Sequence, residues 1–278
     1  MGSDFSLLLM DKKEGVTSFS SLYPIKKEHK GEKVGHAGTL DKFASGLMVV
    51  FIGTATRLNP VFSSFGKKYR GRLKFGAETD TLDPEGNIVK ESSYIPMLEE
   101  IEKILPTFIG KQLQTPPLYS ALHIDGKRAY QIARKGLDVK MEPREIEIST
   151  LDIVSYKDGI LEFETNVSKG TYIRSLARDI AYRLNTCGHL VSLRRLEVGP
   201  FTLEDIDKDT MFLLEKTNLF SKVEMDGSQK KNIDNGAQLS KHIISDTAPN
   251  KPYCFVSIDN KPYGIGEKGE KFKFLTRF

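Results

Sequence analysis

The chain has few of the residues that build metal centres and disulfide frameworks. Its 278 residues include two cysteines and five histidines, and tryptophan is absent. Cys187 and Cys254 belong to no Cys-x-x-Cys motif, and no His-Glu-x-x-His motif occurs. These absences argue against a zinc site or a disulfide scaffold. We therefore expect ordinary thiols in a reducing compartment, no metal and no cofactor.

Long apolar runs are also missing. A helix needs about 20 predominantly apolar residues to cross a bilayer, whereas the run at 47–52 has the length of one strand. The apolar start at 7–10 is too short for a secretory signal. With 39% hydrophobic and 28% charged residues, the composition is typical of a globular protein. We expect cytoplasmic localisation and no membrane partner.

The net charge of +4 permits a nucleic-acid partner without requiring one. Its distribution is more informative, because residues 116–145 mix basic side chains with aromatic and apolar ones. RNA is held by backbone charge and base stacking, so this segment suits RNA binding. The alternative is an exposed helical hairpin. The basic and aromatic residues on which the RNA-binding prediction depends are His123, Lys127, Arg128, Tyr130, Arg134 and Lys135.

The stretch GHAGTLDKFASG, residues 35–46, is the most distinctive in the chain. Its three glycines allow tight turns, and His36, Thr39 and Asp41 add an imidazole, a hydroxyl and a carboxylate. A phosphate-binding loop is disfavoured, because such loops present bare N–H groups at a helix start. Here a carboxylate would repel the anion and a strand-like run follows. Taken alone, Asp41 either caps a short helical turn, which is the commoner role, or serves another purpose.

Hydrophobic periodicity divides the chain into helices and strands. Helices are predicted at 17–29, with Thr17 as N-cap and Pro24 inside, and at 54–65, 97–104 and 211–215. Strands are predicted at 7–10, 47–52, 67–75, 144–155, 159–168 and 190–198. The polar stretch 226–231 is predicted to be a linker. Gly264 opens a Gly-x-Gly-x-x-Gly pattern, which we reject because too few residues follow to form the helix of a dinucleotide-binding motif.

Residues 67–75 alternate basic and apolar side chains with the period of a strand. The basic face consists of Lys68, Arg70, Arg72 and Lys74. Such a face either contacts an RNA backbone or is simply solvated. Tyr69 points the other way, beside Leu73 and Phe75, where a tyrosine is most often a core residue.

A further helix is predicted after Thr171, which can cap it. Its apolar face consists of Ile173, Ala177, Ile180, Ala181 and Leu184. Arg174 falls in the first turn, where the helix dipole disfavours a cation by up to about 1 kcal/mol. Such an arginine suggests a partner elsewhere in the fold, the alternative being a surface ion pair worth about 0–1 kcal/mol.

Seven blocks, in order along the first two hundred residues, resemble the TruB-type pseudouridine synthases of bacteria. They are DKKEGVTS (11–18), GHAGTLD (35–41), GTATRL (53–58), KKYRGRLKFGAETDTLDPEG (67–86), PPLYSALHIDGKRAYQIARKG (116–136), SKGTYIRSLARDI (168–180) and LRRLEVGPF (193–201). Lys13 and Lys42 stand where the family usually has proline. Because proline restricts the backbone, its replacement by lysine is expected to loosen both turns.

The resemblance implies an α+β pseudouridine-synthase fold. This fold is a mixed, mainly antiparallel sheet flanked by helices, with a flap insertion and a small C-terminal β-rich segment. The resemblance implies a catalytic domain over 1–222, whose flap at 116–145 closes over the tRNA arm. It further implies a shortened RNA-binding domain of the PUA type over 223–278.

The resemblance also implies the site. Asp41 would be the catalytic aspartate, Arg174 its ion-pair partner, and Tyr69 a ring that stacks on the target uracil. Leu193 would lie in the uracil pocket, and Asp83 would contact nucleotides splayed out of the RNA loop. The remaining substrate-binding residues would be Lys12, His36 and Tyr172.

The implied function is isomerisation of uridine 55 in the T loop of tRNA to pseudouridine. It requires no metal or nucleotide cofactor, and no obligate protein partner is expected. Two alternatives remain open. One is a non-catalytic tRNA-binding or tRNA-folding protein on the same scaffold, and the other is an rRNA pseudouridine synthase that depends on a guide RNA and protein partners.

Overall fold

The computed structural model describes residues 5–120, 123–124, 127–128, 141–234, 251–258, 261–268 and 272–277. The strands are β1 (Phe5–Lys12), β2 (Val34–Ala37), β3 (Ser45–Gly53), β4 (Lys67–Phe75), β5 (Ala77–Thr79), β6 (Ile88–Glu91), β7 (Gly110–Gln114), β8 (His123–Ile124), β9 (Lys127–Arg128), β10 (Arg144–Lys157), β11 (Ile160–Val167), β12 (Gly188–Val198), β13 (Phe201–Thr202), β14 (Phe220–Met225), β15 (Tyr253–Ile258), β16 (Lys261–Glu267) and β17 (Lys273–Arg277). The α-helices are α1 (Ser18–Ser21), α2 (Tyr23–Glu28), α3 (Asn59–Ser63), α4 (Leu98–Ile104), α5 (Ile173–Arg183), α6 (Thr210–Lys216) and α7 (Gly227–Asp234). Short 3₁₀ helices lie at Thr54–Leu58, Leu105–Phe108 and Leu203–Asp205.

A nine-stranded sheet forms the centre of the fold. Its strand order is β1-β3-β12-β4-β11-β10-β7, with β2 paired to β3 and β13 paired to β12. Neighbouring strands run antiparallel except β3 and β12, which run parallel over the pairs Arg194–Ser45 and Arg195–Gly46. The prediction of a mixed, mainly antiparallel sheet flanked by helices is therefore confirmed.

Strand β3 is buried on both faces, as the continuous apolar run predicted. Met48 and Val50 point into a core that α5 covers, whereas Leu47, Val49 and Phe51 point into a second core, to which α3 and α6 contribute. Because side chains alternate along a strand, one apolar run supplies both cores. The loop that precedes β3 is thereby anchored to the centre of the protein.

Prolines divide two of the predicted helices. The helix expected at 17–29 is α1 followed by α2, with Pro24 in the first turn of α2. The helix expected at 54–65 is a 3₁₀ helix followed by α3, with Pro60 in the first turn of α3. Proline lacks the N–H that a continuous helix needs but fits a first turn, where no acceptor is available for that group. The predictions of single helices are therefore wrong for one shared reason.

Two further predictions are wrong, one about a helix N-cap and one about a linker. The N-cap of α5 is Tyr172 and has no side-chain cap, while the hydroxyl of Thr171 is buried without a partner among the described residues. The polar stretch at 226–231 is not a linker but lies in the start of α7. Oδ1 of Asp226 accepts the N–H groups of Ser228 and Gln229 and so caps this helix.

The hairpin of β10 and β11 has the predicted turn. Asp158 and Gly159 have φ angles of +53° and +71°, the left-handed conformation that a two-residue hairpin turn requires. Strands β14 to β17 form a separate four-stranded sheet, which begins at Phe220, three residues before the predicted boundary. Gly264 lies inside strand β16, consistent with rejecting the dinucleotide motif. An RNA-binding role for this sheet remains a prediction, and most of the predicted flap lies outside the described residues.

Candidate active site

Asp41 lies on the loop between β2 and β3. Gly38 and Gly46, near the two ends of this loop, have φ angles of +79° and +112°, which glycine adopts without strain. The N–H of Ala44 donates to the carbonyl of Asp41 at 3.2 Å, so the segment makes a turn and not a helix. The Asp41 carboxylate bonds to Arg174 and not to a backbone N–H group, which disfavours the capping alternative.

Arg174 reaches Asp41 from the first turn of α5. Its Nη2 donates to Oδ1 of Asp41 at 3.1 Å, and its Nε lies 2.9 Å from Oδ2. The Nε contact is ionic only, because the N–H is not aligned for a hydrogen bond. The Arg174 side chain is 5% exposed, whereas that of Asp41 is 37% exposed. The arginine thus holds one side of the carboxylate and leaves another side accessible.

The same guanidinium connects Asp41 to two other segments. Its Nη1 donates to the carbonyl of Thr81 at 2.8 Å, and its Nη2 donates to the carbonyl of Tyr119 at 3.0 Å. Nη1 also lies 3.4 Å from Oδ2 of Asp83. These acceptors outweigh the unfavourable helix dipole at this position. The partner that the sequence suggested for Arg174 is therefore a network of two carboxylates and two carbonyls.

Burial and charge have opposite effects on Asp41. Burial raises the pKa of Asp41 above its ordinary value, while the Arg174 guanidinium opposes this rise. The negative charge of Asp83 raises the pKa of Asp41 further. The net direction is upward, because the protein around Asp41 disfavours its charge by more than the ion pair with Arg174 returns. Asp41 is thus a more basic carboxylate than one on the surface.

Asp41 opens into a cavity of about 1020 Å³. Seven of the eight predicted site residues line it: His36, Asp41, Tyr69, Asp83, Tyr172, Arg174 and Leu193. Tyr69 on β4 and Leu193 on β12 come from adjacent strands of the central sheet. Both are nearly buried, with exposures of 8% and 5%. The structure thus assembles residues from four separate blocks of the sequence around one concave site.

Lys12 is the predicted site residue that lies elsewhere. Its side chain is fully buried, and its Nζ donates to the carbonyls of Lys13, Val16 and Lys42. Gly15 also donates its N–H to the carbonyl of Lys42, at 2.9 Å. These bonds hold the segment after β1 against the Asp41 loop. Lys12 therefore supports the loop from behind, and a direct contact with substrate finds no support in this position.

Asp83 is also bonded within the protein. Its Oδ1 accepts the hydroxyl of Thr81 at 2.6 Å and the N–H of Glu85 at 3.0 Å. With Oδ2 near Arg174 and only 6% of its side chain exposed, Asp83 has little surface left for RNA. Its visible role is to shape the turn between β5 and β6 and to share Arg174 with Asp41. The predicted contact with splayed nucleotides stays a prediction.

His36 and Tyr172 border the same cavity. Burial lowers the pKa of His36, and the charges of Arg195 and Lys26 lower it further. The imidazole is therefore mostly neutral at pH 7, and its Nδ1 is buried without a partner among the described residues. Burial raises the pKa of Tyr172, and Gln114 fixes its backbone through bonds to both N–H and carbonyl. Both side chains are neutral polar groups on the cavity wall.

Sequence reasoning missed Arg195, the neighbour of the partly exposed Arg194. Arg195 is fully buried. Its Nε donates to the carbonyl of Leu47 at 2.6 Å, and Nη1 and Nη2 both donate to the carbonyl of Gly38 at 3.1 Å. A Cβ at Gly46 would lie 2.2 Å from the Arg195 carbonyl oxygen, so only glycine fits there. Arg195 thus ties together the two ends of the Asp41 loop.

A signal for Arg195 was present in the sequence. Residues two apart on a strand share a face, so an inward Leu193 implies an inward Arg195. A fully buried Arg195 was not anticipated, because the acceptors that the described residues provide for it are backbone carbonyls. Lys67 lies in the same region, and burial, together with the charges of Arg195 and Lys169, lowers the pKa of Lys67 to about 8.

The basic face of β4 is matched by acids on the neighbouring strand. Arg70 Nη2 lies 2.5 Å and Lys68 Nζ 3.0 Å from Glu164 on β11. Glu162 lies 3.9 Å from Arg70, and Glu197 lies 3.9 Å from Lys68. Acidic side chains thus pair with Lys68 and Arg70, two of the four basic residues of this face, which favours the solvated alternative for these two.

Two negative findings apply to the described residues alone. None of their helices is both long and apolar enough to cross a membrane. No group of three or more His, Cys, Asp or Glu side chains among them is arranged to hold a metal ion. Cys187 and Cys254 are both buried free thiols, as expected.

Solved structures share the fold. The chain aligns with a chain in the crystal structure of a Cbf5–Nop10–Gar1 complex with a TM-score of 0.65 at 22% identity, covering 99% of this chain and 84% of that one. It aligns with a chain in an H/ACA RNP bound to a substrate RNA containing 2′-deoxyuridine with a TM-score of 0.66 at 20% identity, covering 98% and 84%. At such low identities these likenesses show the fold alone.

Sequence relatives define the family. The model of the TruB family pseudouridylate synthase N-terminal domain matches residues 26–173. The tRNA pseudouridine synthase B of Borreliella burgdorferi strain ZS7 is 43% identical over 244 residues, which are 85% of this chain and 86% of that protein. The enzyme of the same name from Brucella ovis is 45% identical over 200 residues, or 72% and 62%. The protein is thus an isomerase of the pseudouridine synthase class. Within that class, the chain belongs to the TruB family.

Proposed function

We propose that this protein isomerises uridine 55 in the T loop of tRNA to pseudouridine, with Asp41 as the catalytic residue. The observation that carries the proposal is the Asp41 carboxylate, which Arg174 holds on one side while another side faces a cavity of about 1020 Å³. The relatives that share 43–45% identity are tRNA pseudouridine synthases B, which supports tRNA as the substrate.

The reaction rearranges one nucleoside. The bond from C1′ to N1 breaks, the uracil turns, and C1′ joins C5. C5 loses its hydrogen to solvent as a proton, and N1, freed from C1′, takes up one proton, so the atoms of the nucleoside balance. No oxidant, reductant or co-substrate enters. The protein must therefore supply a carboxylate at the reacting carbon or base, a pocket for the detached uracil, and protection from water.

The cavity residues fit these requirements. The Arg174 guanidinium favours the ionised form of Asp41 and so opposes the rise that burial gives to the pKa of this carboxyl. Tyr69 and Leu193, from adjacent strands, flank the uracil, the tyrosine by stacking and the leucine by apolar contact. His36 and Tyr172 provide neutral polar groups at the wall. This arrangement fits a flat base with polar edges between a ring and an aliphatic side chain.

The target base must leave the tRNA loop before Asp41 can reach it. Flipping a base costs a few kcal/mol, and contacts along the RNA have to offset that cost. The predicted flap at 116–145 supplies basic and aromatic side chains in its sequence, and phosphate contacts make such binding dependent on salt. Affinity is therefore expected to come from the RNA arm, and chemistry from Asp41.

The test is a tritium-release assay. Unmodified tRNA transcript labelled at C5 of uridine is incubated with the protein, without any guide RNA, and label released to water is counted. Wild type should release one equivalent, Asp41→Ala none, and a transcript with cytidine at position 55 none. Asp152→Ala, which removes an exposed carboxylate on β10, is the matched control and should behave as wild type.

Three other results of the assay would contradict parts of the proposal. Tight tRNA binding without any release would indicate a non-catalytic protein on the same scaffold. Release that continues with cytidine at position 55 would move the target to another uridine. Full release by Asp41→Ala would remove Asp41 from the mechanism.

A further inference from the structure

The rim of the cavity carries an exposed aromatic ring that the proposed chemistry does not use. Phe19 on α1 is 71% exposed and lines the cavity. Tyr23, four residues along the chain, is 70% exposed. Single exposed apolar residues are common on protein surfaces, so exposure alone means little. The position of Phe19 relative to Asp41 is what distinguishes it.

Two hydrogen bonds tie the Phe19 segment to the catalytic loop. The hydroxyl of Ser18 donates to the carbonyl of Leu40 at 2.8 Å, and the N–H of Leu40 donates to the same hydroxyl at 2.8 Å. Ser18 is the neighbour of Phe19, and Leu40 is the neighbour of Asp41. Thr17 caps α1 by accepting the N–H of Ser20. The short helix that carries Phe19 is therefore fixed to the loop that carries the catalytic carboxylate.

One face of the ring carries a positive charge. Nζ of Lys26 lies 3.6 Å from the centroid of the Phe19 ring, which is a cation–π contact. Because the ring is still 71% exposed with the ammonium above it, its remaining surface is open to a ligand. A flat apolar surface next to a cation matches a nucleotide, whose base stacks while its phosphate is attracted to the charge.

We propose that Phe19 is a stacking platform for an unpaired base of the RNA loop, next to the uridine that enters the cavity, and that Lys26 attracts the adjoining phosphate. The inference rests on the proposed function, because an everted uridine in the cavity places its neighbouring nucleotides at the rim. Stacking at this position stabilises the opened loop, since a base that has left its own stack finds a replacement ring.

The first measurement is RNA affinity in the catalytically silent Asp41→Ala background. A T stem-loop transcript is titrated against Asp41→Ala alone and combined with Phe19→Ala, Phe19→Leu or Phe19→Tyr. Phe19→Ala should weaken binding by about 5- to 150-fold, the range of one base–aromatic stack. Phe19→Tyr should restore binding because it keeps a ring, whereas Phe19→Leu should not. A purely apolar role would instead be rescued by leucine.

The matched control is Phe212 on α6. It is also an exposed phenylalanine, 42% accessible, with Lys208 Nζ 5.8 Å from its ring centroid, but it does not line the cavity. Phe212→Ala should leave RNA affinity unchanged. Thermal unfolding of both variants should match the parent, since neither ring is in the core.

The second measurement is spectroscopic. Because the chain has no tryptophan, Phe19→Trp introduces a single tryptophan, whose emission a stacked base quenches. RNA should quench Phe19→Trp in the Asp41→Ala background and leave Phe212→Trp unaffected. An unquenched Phe19→Trp together with full affinity of Phe19→Ala would overturn the proposal and point to a protein partner for this ring. Both readouts measure binding alone, so they stand even if the tritium assay contradicts the role of Asp41.

Discussion

The structure contains two arginine–carboxylate pairs whose carboxyl groups have pKa values shifted in opposite directions. In the first, Arg174 and Asp41 have side-chain exposures of 5% and 37%. In the second, Arg70 and Glu164 have exposures of 47% and 20% and lie on the solvated face of β4 and β11. Hydrogen bonds from Arg70 and Lys68 lower the pKa of Glu164, whereas burial raises the pKa of Asp41 despite its arginine.

The opposite directions have one cause. Glu164 lies on the outer face of the sheet with two cations beside it, so the hydrogen bonds from Arg70 and Lys68 favour its charged form. Asp41 lies deep in the cavity wall, where the surrounding protein and the charge of Asp83 disfavour its charged form although part of the side chain is accessible, and the pairing with Arg174 only reduces that cost. The chemistry of an ion pair therefore does not tell which carboxylate is reactive. The protein around each carboxylate decides whether it is reactive. Four sets of variants test how far burial determines the role of a charged side chain.

The largest contrast is in activity. Asp41→Asn keeps the shape of the side chain and removes its charge, and we expect tRNA pseudouridylation to fall by about 10⁴-fold or more, as for loss of a nucleophilic group. Glu164→Gln removes the charge of the surface carboxylate and should leave the rate within about twofold of wild type. Single-turnover tritium release measures both. Comparable losses in the two variants would show that surface charge and not Asp41 limits the reaction.

The next contrast is in stability, between two adjacent arginines. Arg195→Met leaves the carbonyls of Gly38 and Leu47 buried without their donor, and we expect a loss of about 2–5 kcal/mol in the free energy of unfolding. Arg194→Met removes a partly exposed pair with Asp11 and should cost less than about 1 kcal/mol. Urea unfolding followed by circular dichroism gives both values. Equal costs would mean that Arg195 does not clamp the loop.

A third contrast concerns pH. The activity requires ionised Asp41, so it is lost as pH falls through the raised pKa of that carboxyl. Arg174 opposes the rise, so Arg174→Gln should raise the pKa of Asp41 further and move the acid limb of the kcat/KM profile to higher pH. Arg70→Gln should leave the limb where it is. An acid limb that moves to lower pH in Arg174→Gln would contradict the assignment of the limb to Asp41.

The smallest effect is expected at Lys42. Its Nζ lies 2.9 Å from Oε1 of Glu85, and both side chains are exposed, at 53% and 41%. Lys42→Ala should change the free energy of unfolding by less than about 1 kcal/mol, as for other surface pairs. The loop is held instead through the Lys42 carbonyl, which the substitution keeps. A large loss of stability or activity would show that this lysine replaces the usual proline in a structural role.

Patterns that depend on one segment were predicted well from the sequence. The run at 47–52 predicted a doubly buried strand, and the alternation at 67–75 predicted inward Tyr69 and outward Arg70, as β3 and β4 show. The Asp158–Gly159 turn followed from the preference of these residues for positive φ. Predictions of single helices across Pro24 and Pro60 were wrong, since each proline starts a new helix.

Predictions about the hydrogen-bond partner of a particular side chain were less successful. Thr171 is a suitable cap by residue type, yet α5 starts without a side-chain cap. Lys12 carries a charge that suits substrate, yet three carbonyls of the fold bind it. Arg195 was overlooked because its acceptors are backbone oxygens, which no side-chain pattern reveals.

The sequence by itself determined six strands of the central sheet, namely β1, β3, β4, β10, β11 and β12, the inward or outward direction of side chains in β3 and β4, and the family to which the chain belongs. The tertiary structure decided that Arg174 meets Asp41 across 133 residues, that Lys12 and Arg195 hold the loop, and that Glu164 pairs with Lys68 and Arg70 on the outer basic face. The physical reason is that periodicity is a local property of the chain, whereas the desolvation of a charge depends on every segment that packs around it.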